Sequence, residues 1–271
     1  MPKQSSPRTR DIELTADYRG LTLRSVFQPI ASAAHGTVVG YEALLRATSR
    51  GGRPIDPPVV FEEASDVGEL ELVNRLVCPL HFSSFQSQDP GDCLLFANIS
   101  TGVLRQLVEP DENLHRLAAS CGLSPDRIVI EIPEDQPCDD EGFSESLDQL
   151  KRDGFRVAIG DFGTGLSNVD RVFKCSPAIV KMDVGLIARA RSDRRLRKVF
   201  CHLTEMLHDI DAAVLAEGIE SVDDALLMTD AGVDFLQGFW LSRPAPDLDA
   251  MRFDDQFGEL RQARATLPPR Q

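Results

Sequence analysis

The chain has no run approaching the roughly 18 consecutive apolar residues that a membrane-spanning helix requires. Residues 1–11 are polar, carry Pro2 and Pro7, and lack an apolar signal core. These absences predict a cytoplasmic location with no membrane contact. Cysteine is sparse: Cys78, Cys93, Cys121, Cys138, Cys175 and Cys201 stand singly, with no Cys-x-x-Cys spacing. That pattern fits neither a zinc ribbon nor a small disulfide scaffold, and predicts reduced thiols. The five histidines form no His-Glu-x-x-His pattern, which disfavours a zinc hydrolase of that type and leaves oxygen as the expected metal ligand. Basic residues are outnumbered, 29 against 43 acidic, giving a net charge of −14. General nucleic-acid or anionic-membrane binding needs a basic surface and is therefore not expected. A phosphate ligand would have to be captured locally, by metal ions or a few placed Arg and Lys side chains.

What is present is an ordinary globular composition, with 42% hydrophobic and 27% charged residues in 271. Eight short β-rich apolar runs follow one another at 21–30, 38–45, 93–99, 127–132, 155–161, 178–183, 213–217 and 233–238. A short loop with His35 and Gly36 joins the first two, as in a hairpin, and helix-length amphipathic segments separate most of the others. Helices are predicted at 61–85, 102–121, 142–153, 184–208 and 221–232. The pattern predicts an α/β fold, a TIM-like (β/α)₈ barrel with an antiparallel first strand. A single barrel domain is expected over 19–261, with flexible tails at 1–18 and 262–271 and no second domain. The basic run 189–198, with five arginines and one lysine, reads as a solvated helix face.

Barrels of this kind place their chemistry at the C-terminal ends of the strands. Those ends carry Gln28, Glu42, Asn98, Glu131, Asp161, Lys181, Glu217 and Gln237. Any one of them alone is explained by a helix cap or a turn. Four carboxylates gathered in one mouth repel one another unless cations neutralise them. Oxygen-only ligation selects Mg²⁺ or Mn²⁺ over zinc. Asp161-Phe162-Gly163 also spells a kinase metal triplet, but no Gly-x-Gly-x-x-Gly loop or His-Arg-Asp segment accompanies it.

Nine blocks in order carry a resemblance: Phe27-Gln28-Pro29-Ile30, Tyr41-Glu42-Ala43-Leu44-Leu45-Arg46, Asn98-Ile99-Ser100, Glu131-Ile132-Pro133-Glu134, Asp161-Phe162-Gly163-Thr164-Gly165, Lys181-Met182-Asp183, Ala216-Glu217-Gly218-Ile219-Glu220, Gln237-Gly238-Phe239 and Arg243-Pro244. Over about residues 22–246 the chain resembles the EAL-domain phosphodiesterases of bacterial cyclic di-GMP signalling. The resemblance implies that Glu42, Asn98 and Glu131 bind one metal, while Asp161 and Glu217 serve a second metal or the attacking water. It implies that Lys181 holds that water or the phosphate, that Gln28, Leu44, Arg46 and Gln237 contact substrate, and that Glu134 and Glu220 support the loop after the fifth strand. The reaction implied is in-line attack of a metal-activated water on cyclic di-GMP, giving linear pGpG, in a homodimer with Mg²⁺ or Mn²⁺. A stand-alone domain is expected, since no sensory or cyclase segment is attached.

One position departs from the family pattern. The family has two aspartates before Phe-Gly-Thr-Gly, and here Gly160 replaces the first, the carboxylate that bridges the two metals. Two divalent cations ~4 Å apart repel strongly even at an effective dielectric near 20, so the second metal is in doubt. Three outcomes stay open: impaired or absent hydrolysis, compensation by Asp161 or a water on Glu217, and binding of neither metal nor nucleotide. The alternative to an enzyme is a cyclic di-GMP receptor with a protein signalling partner, or a protein-interaction module. Leu166, where an aromatic residue is common, is a minor departure.

Overall fold

The alternating residues of 21–49 fold into a long antiparallel hairpin, β2 (Leu21–Ser32) and β3 (Val38–Ser49), whose register pairs Gln28 with Glu42 and Arg24 with Arg46. In the computed structural model, which describes residues 14–99, 104, 114–132, 141–163, 169–251 and 253–266, this hairpin begins a closed barrel. Around it follow β5 (Leu94–Asn98), β6 (Ile128–Ile132), β7 (Arg156–Phe162), β8 (Ile179–Met182), β9 (Ala213–Ala216) and β10 (Phe235–Leu236). These pair in parallel, in sequence order from β3 round to β10, and β10 meets β2 antiparallel to close the ring. The expected TIM-like barrel with a reversed first strand is therefore the observed fold. Two short strands flank the ends of the hairpin, β1 (Thr15–Tyr18) beside β2 and β4 (Pro54–Ile55) beside β3.

The helices are α1 (Pro57–Asp66), α2 (Leu70–Gln86), α3 (Leu114–Ser120), α4 (Glu141–Arg152), α5 (Val169–Cys175), α6 (Val184–Ser192), α7 (Arg194–His208), α8 (Val222–Asp230) and α9 (Asp254–Thr266). Two expected helices are each a pair. The segment 61–85 breaks at Gly68, whose φ of 72° only glycine adopts freely. The segment 184–208 breaks at Asp193, which is extended and caps α7 by accepting from the Arg195 amide. The Arg197 guanidinium closes the end of α6 by donating to the Ala190 and Arg191 carbonyls. Helices α5 and α9 were not expected. Neither was β1, which corrects the flexible tail at 1–18, while α9 carries order to Thr266 and corrects the tail at 262–271; the rest of both tails, and most of 102–113, lie outside the described residues. Among the described residues no helix is long and apolar enough to cross a membrane, and Cys78, Cys93, Cys121 and Cys201 are free thiols.

Apolar side chains bury in three places. The largest cluster lies between barrel and helices. A second, with Leu23, Leu45, Val73 and Val77, joins the upper hairpin to α1 and α2. A third fills the barrel interior.

One polar pair interrupts the packing of α2. His81 Nδ1 lies 2.7 Å from Ser25 Oγ of β2, both buried. Burial lowers the imidazole from 6.5 to about 4, opposed only by Glu42. The unfolded chain thus binds this proton at a higher pH than the folded one. The stability it withholds is absent above pH ~6.5 and grows as pH falls towards 4, to on the order of 3 kcal/mol. His81→Gln is expected to flatten the acid limb of a urea stability profile between pH 6.5 and 4; an unchanged limb would show that His81 is not its source.

Candidate active site

Inside the barrel, Ile30, Phe96, Val129, Ala158, Ile179 and Leu215 form one apolar layer, with Phe235 packed against it. Two places further along the same strands, towards one rim, stand Gln28, Asn98, Glu131, Gly160, Lys181, Glu217 and Gln237. The offset of two is the strand period, so the second set shares the inward face of the first. It holds for β2 as well, because reversing a strand preserves the alternation. Glu42 joins them by pairing with Gln28.

These residues form one network. Lys181 Nζ lies 2.6 Å from Glu131 Oε2, 2.8 Å from Glu217 Oε1 and 3.6 Å from Glu42 Oε1. Glu42 also accepts from Asn98 Nδ2 at 2.9 Å and from Gln237 Nε2 at 2.6 Å. The Gln237 amide reaches Gln28 Oε1 at 3.3 Å, and Gln28 donates to the Ser242 carbonyl at 3.2 Å. Glu42, Glu131, Lys181, Gln28 and Gln237 are buried, Glu217 is partly open and Asn98 faces solvent.

Burial pushes Glu131 up to about 8; Lys181 opposes this, while Glu42 and Glu217 add repulsion. For Glu42, burial raises the carboxyl, but Lys181 and the two amide donors outweigh it and hold it below its usual value. Burial works against the Lys181 cation, yet Glu131, Glu217 and Glu42 keep it well above an ordinary lysine. One ammonium among three carboxylates leaves the centre net negative, an environment that favours a further cation.

On β7 the register against β8 slips between Ile159 and Phe162, so Gly160 and Asp161 both stand opposite Lys181. A bulge of this kind re-aims side chains at a barrel rim. Gly160 brings none, and among the described residues a Cβ built there would meet only the Ile132 carbonyl oxygen, at 3.8 Å. The Asp161 side chain and Glu134 lie outside the described residues. Leu44 and Arg46 continue the face of β3 that carries Glu42. Arg46 donates to the Leu45 carbonyl, and burial, then Arg24, lower it from its usual value. Arg24, its cross-strand partner, was missed in the sequence, although the hairpin register that pairs 28 with 42 also pairs 24 with 46. Glu220 is exposed on the far side of its loop, 4.0 Å from Arg191, and does not join the network. The Ser242 carbonyl was also missed, since a backbone acceptor leaves no trace in sequence.

The loops after β9 and β10 interlock. Ile219 N donates to the Gln237 carbonyl, Trp240 N donates to the Ile219 carbonyl, and a Cβ at Gly238 would come within 2.1 Å of Ile219 O. Only glycine permits that approach.

As donors for a metal, Glu42, Asn98 and Glu131 offer oxygen, and Glu131 Oε1 is buried without a hydrogen-bond partner. The set fits a hard divalent cation. Among the described residues no three His, Cys, Asp or Glu side chains already form a metal cage; Lys181 stands between the glutamates instead.

The model of the EAL domain matches residues 13–244. The chain belongs to the EAL domain family. It is 28% identical over 82% of its length to the probable cyclic di-GMP phosphodiesterase PdeI of Escherichia coli, covering 29% of that protein. Among solved structures, the EAL enzyme Bd1971 bound to cAMP and cyclic di-GMP superposes with a TM-score of 0.75 at 26% identity, over 84% of this chain and 63% of that one. The calcium and cyclic di-GMP complex of Klebsiella pneumoniae BlrP1 gives 0.72 at 25% identity, over 82% and 56%. The EAL domain described here spans about a third of the length of the curated relatives it matches.

Removing Lys181 from this EAL domain takes away the ammonium that faces the buried Glu42 and Glu131. Lys181→Met is expected to lose about 3–5 kcal/mol of stability in chelator, measured by urea unfolding. A loss below about 1 kcal/mol, the range of exposed pairs, would show that the carboxylates are compensated by other means.

Proposed function

We propose that this domain binds cyclic di-GMP at the polar layer and hydrolyses it to pGpG, with activity impaired by Gly160. The observation that carries the reading is the single network of Gln28, Glu42, Asn98, Glu131, Lys181, Glu217 and Gln237, oxygen-rich and net negative around one lysine. Relatives named as phosphodiesterases of this nucleotide, or solved with it, support the choice of ligand. Glu42, Asn98 and Glu131 would hold Mg²⁺ or Mn²⁺, competing with Lys181 for the same oxygens, with Glu217 and Asp161 completing a second position. Bound divalent cations supply Lewis acidity to the phosphodiester.

The chain's own groups do the rest. Lys181 presents positive charge where a phosphate oxygen becomes more negative, an effect often worth ~3 kcal/mol per donor. Glu217 and Asp161 hold the attacking water and take its proton. Arg46 grips a phosphate, which would offset the cost of its burial next to Arg24; Gln28 and Gln237 orient the ligand, and Leu44 packs on it. Glu134 and Glu220 are read as supports of the neighbouring loop. The proposed setting is a cytoplasmic homodimer.

A second reading rests on Gly160. It takes the inward place on β7 where a carboxylate would bridge two metals, so the domain would be a cyclic di-GMP receptor acting on a protein partner.

Hydrolysis by purified protein in Mg²⁺ or Mn²⁺ separates the two. Slow formation of pGpG is expected, abolished in Glu42→Ala. Gly160→Asp, which has room for its Cβ, is expected to raise Mn²⁺ affinity and turnover roughly tenfold or more. No gain in either would refute the missing-ligand account. Binding without turnover in both proteins would favour the receptor, and no binding by calorimetry would remove the proposal altogether.

A further inference from the structure

Asp224 is fully buried at the start of α8, yet it accepts more hydrogen bonds than a helix cap requires. Ser221 Oγ and Asp224 complete a reciprocal capping box, which alone would secure the helix. The Ser221 amide, donating to Asp224 Oδ2 at 3.0 Å, belongs to that box; beyond it, Oδ2 accepts from the Glu220 amide at 3.2 Å and the Ser221 hydroxyl at 2.8 Å. The Arg191 guanidinium grips both carboxylate oxygens, with Nη2 to Oδ2 at 2.7 Å. Such a two-point pair fixes direction as well as distance.

The two partners belong to neighbouring βα units. Arg191 ends α6, which follows β8 after the single residue Asp183, and β8 carries Lys181. Asp224 anchors the segment 217–221, which begins with Glu217. At the rim the same units meet again through Lys181 and Glu217, and the Glu217 amide donates to the Met182 carbonyl at 3.1 Å. A closed circuit results, running from Lys181 along α6 to Arg191, across to Asp224, and back along the loop to Glu217.

We propose that Arg191 and Asp224 are positioning residues that hold the 217–221 loop, and through it Glu217, in register with Lys181. This rests on the reading of Glu217 as a metal or water residue, but the loop's anchoring can be measured without it. Trp240 is the sole tryptophan and its amide donates to the Ile219 carbonyl at 2.9 Å, so its fluorescence reports on this loop in the absence of metal and nucleotide.

Arg191 is the partly exposed end of the pair and the safer one to change. Arg191→Gln removes charge and fork; Arg191→Lys keeps the charge without the two-point geometry. With thermal melting confirming a folded protein, Arg191→Gln is expected to increase acrylamide quenching of Trp240 and to weaken Mn²⁺ binding, by calorimetry, roughly tenfold. Arg191→Lys should fall between. Quenching and Mn²⁺ affinity both at the parent's values would overturn the proposal. So would increased quenching with unchanged Mn²⁺ affinity, provided Glu217→Gln in the same assay does weaken Mn²⁺. If Glu217→Gln leaves Mn²⁺ binding intact, the functional reading of Glu217 fails, and quenching alone decides whether the pair anchors the loop.

Discussion

Three glutamates, on β3, on β6 and just past the end of β9, share one ammonium group, and much of the barrel's upper half is arranged around that constraint. Burying a carboxylate costs several kcal/mol unless it is paired and hydrogen-bonded. Lys181 meets that demand for Glu131 and Glu217 directly, and for Glu42 only in part. Glu42 therefore draws on Asn98 from β5 and Gln237 from the end of β10. The lysine's position needs β8 in register with β7 and β9, and the amides' positions need the barrel to close at β10 and β2. An electrostatic requirement at the centre thus selects a particular closure of the sheet.

Below this layer lies an apolar one, and the change of chemistry occurs within two residues on each strand. Phe96 gives way to Asn98, Val129 to Glu131, Ile179 to Lys181 and Leu215 to Glu217. The apolar layer keeps water from the lower barrel, so the ions above it lie in a medium where charges interact strongly. Ala158 gives way to Gly160, the one step in this series that adds no polar group, and the bulge at that point brings a second residue, Asp161, opposite Lys181. The gap and the bulge occupy the same place on β7.

Much of this was legible in the sequence, for definite reasons. Buried parallel strands are short apolar runs, and all eight were visible at 21–238. The site was visible because it falls at strand ends, where position along the chain predicts direction of the side chain. What failed did so where chain-local patterns carry no signal. Apolar periodicity runs through Gly68 and Asp193 without interruption, so two pairs of helices read as two single ones. β1 and β4 have only four and two residues, too few to show a period. Arg191 and Asp224 stand 33 residues apart, one inside a basic run that reads as solvated and the other inside a helix start. Their pairing is a product of how α6 packs near α8.

Binding and chemistry are separable in this layout. Gln28, Leu44, Arg46 and Gln237 lie on β2, β3 and the end of β10, while Gly160 lies across the barrel on β7. On the proposed reading, the first group recognises the nucleotide, and its geometry is fixed by the hairpin register and by the Gln28 bond to the Ser242 carbonyl. Neither depends on what stands at position 160. Loss of a carboxylate on β7 would therefore fall on the reaction and leave recognition largely in place. A hydrolytic domain and a receptor for the same nucleotide would then differ by one side chain on one strand.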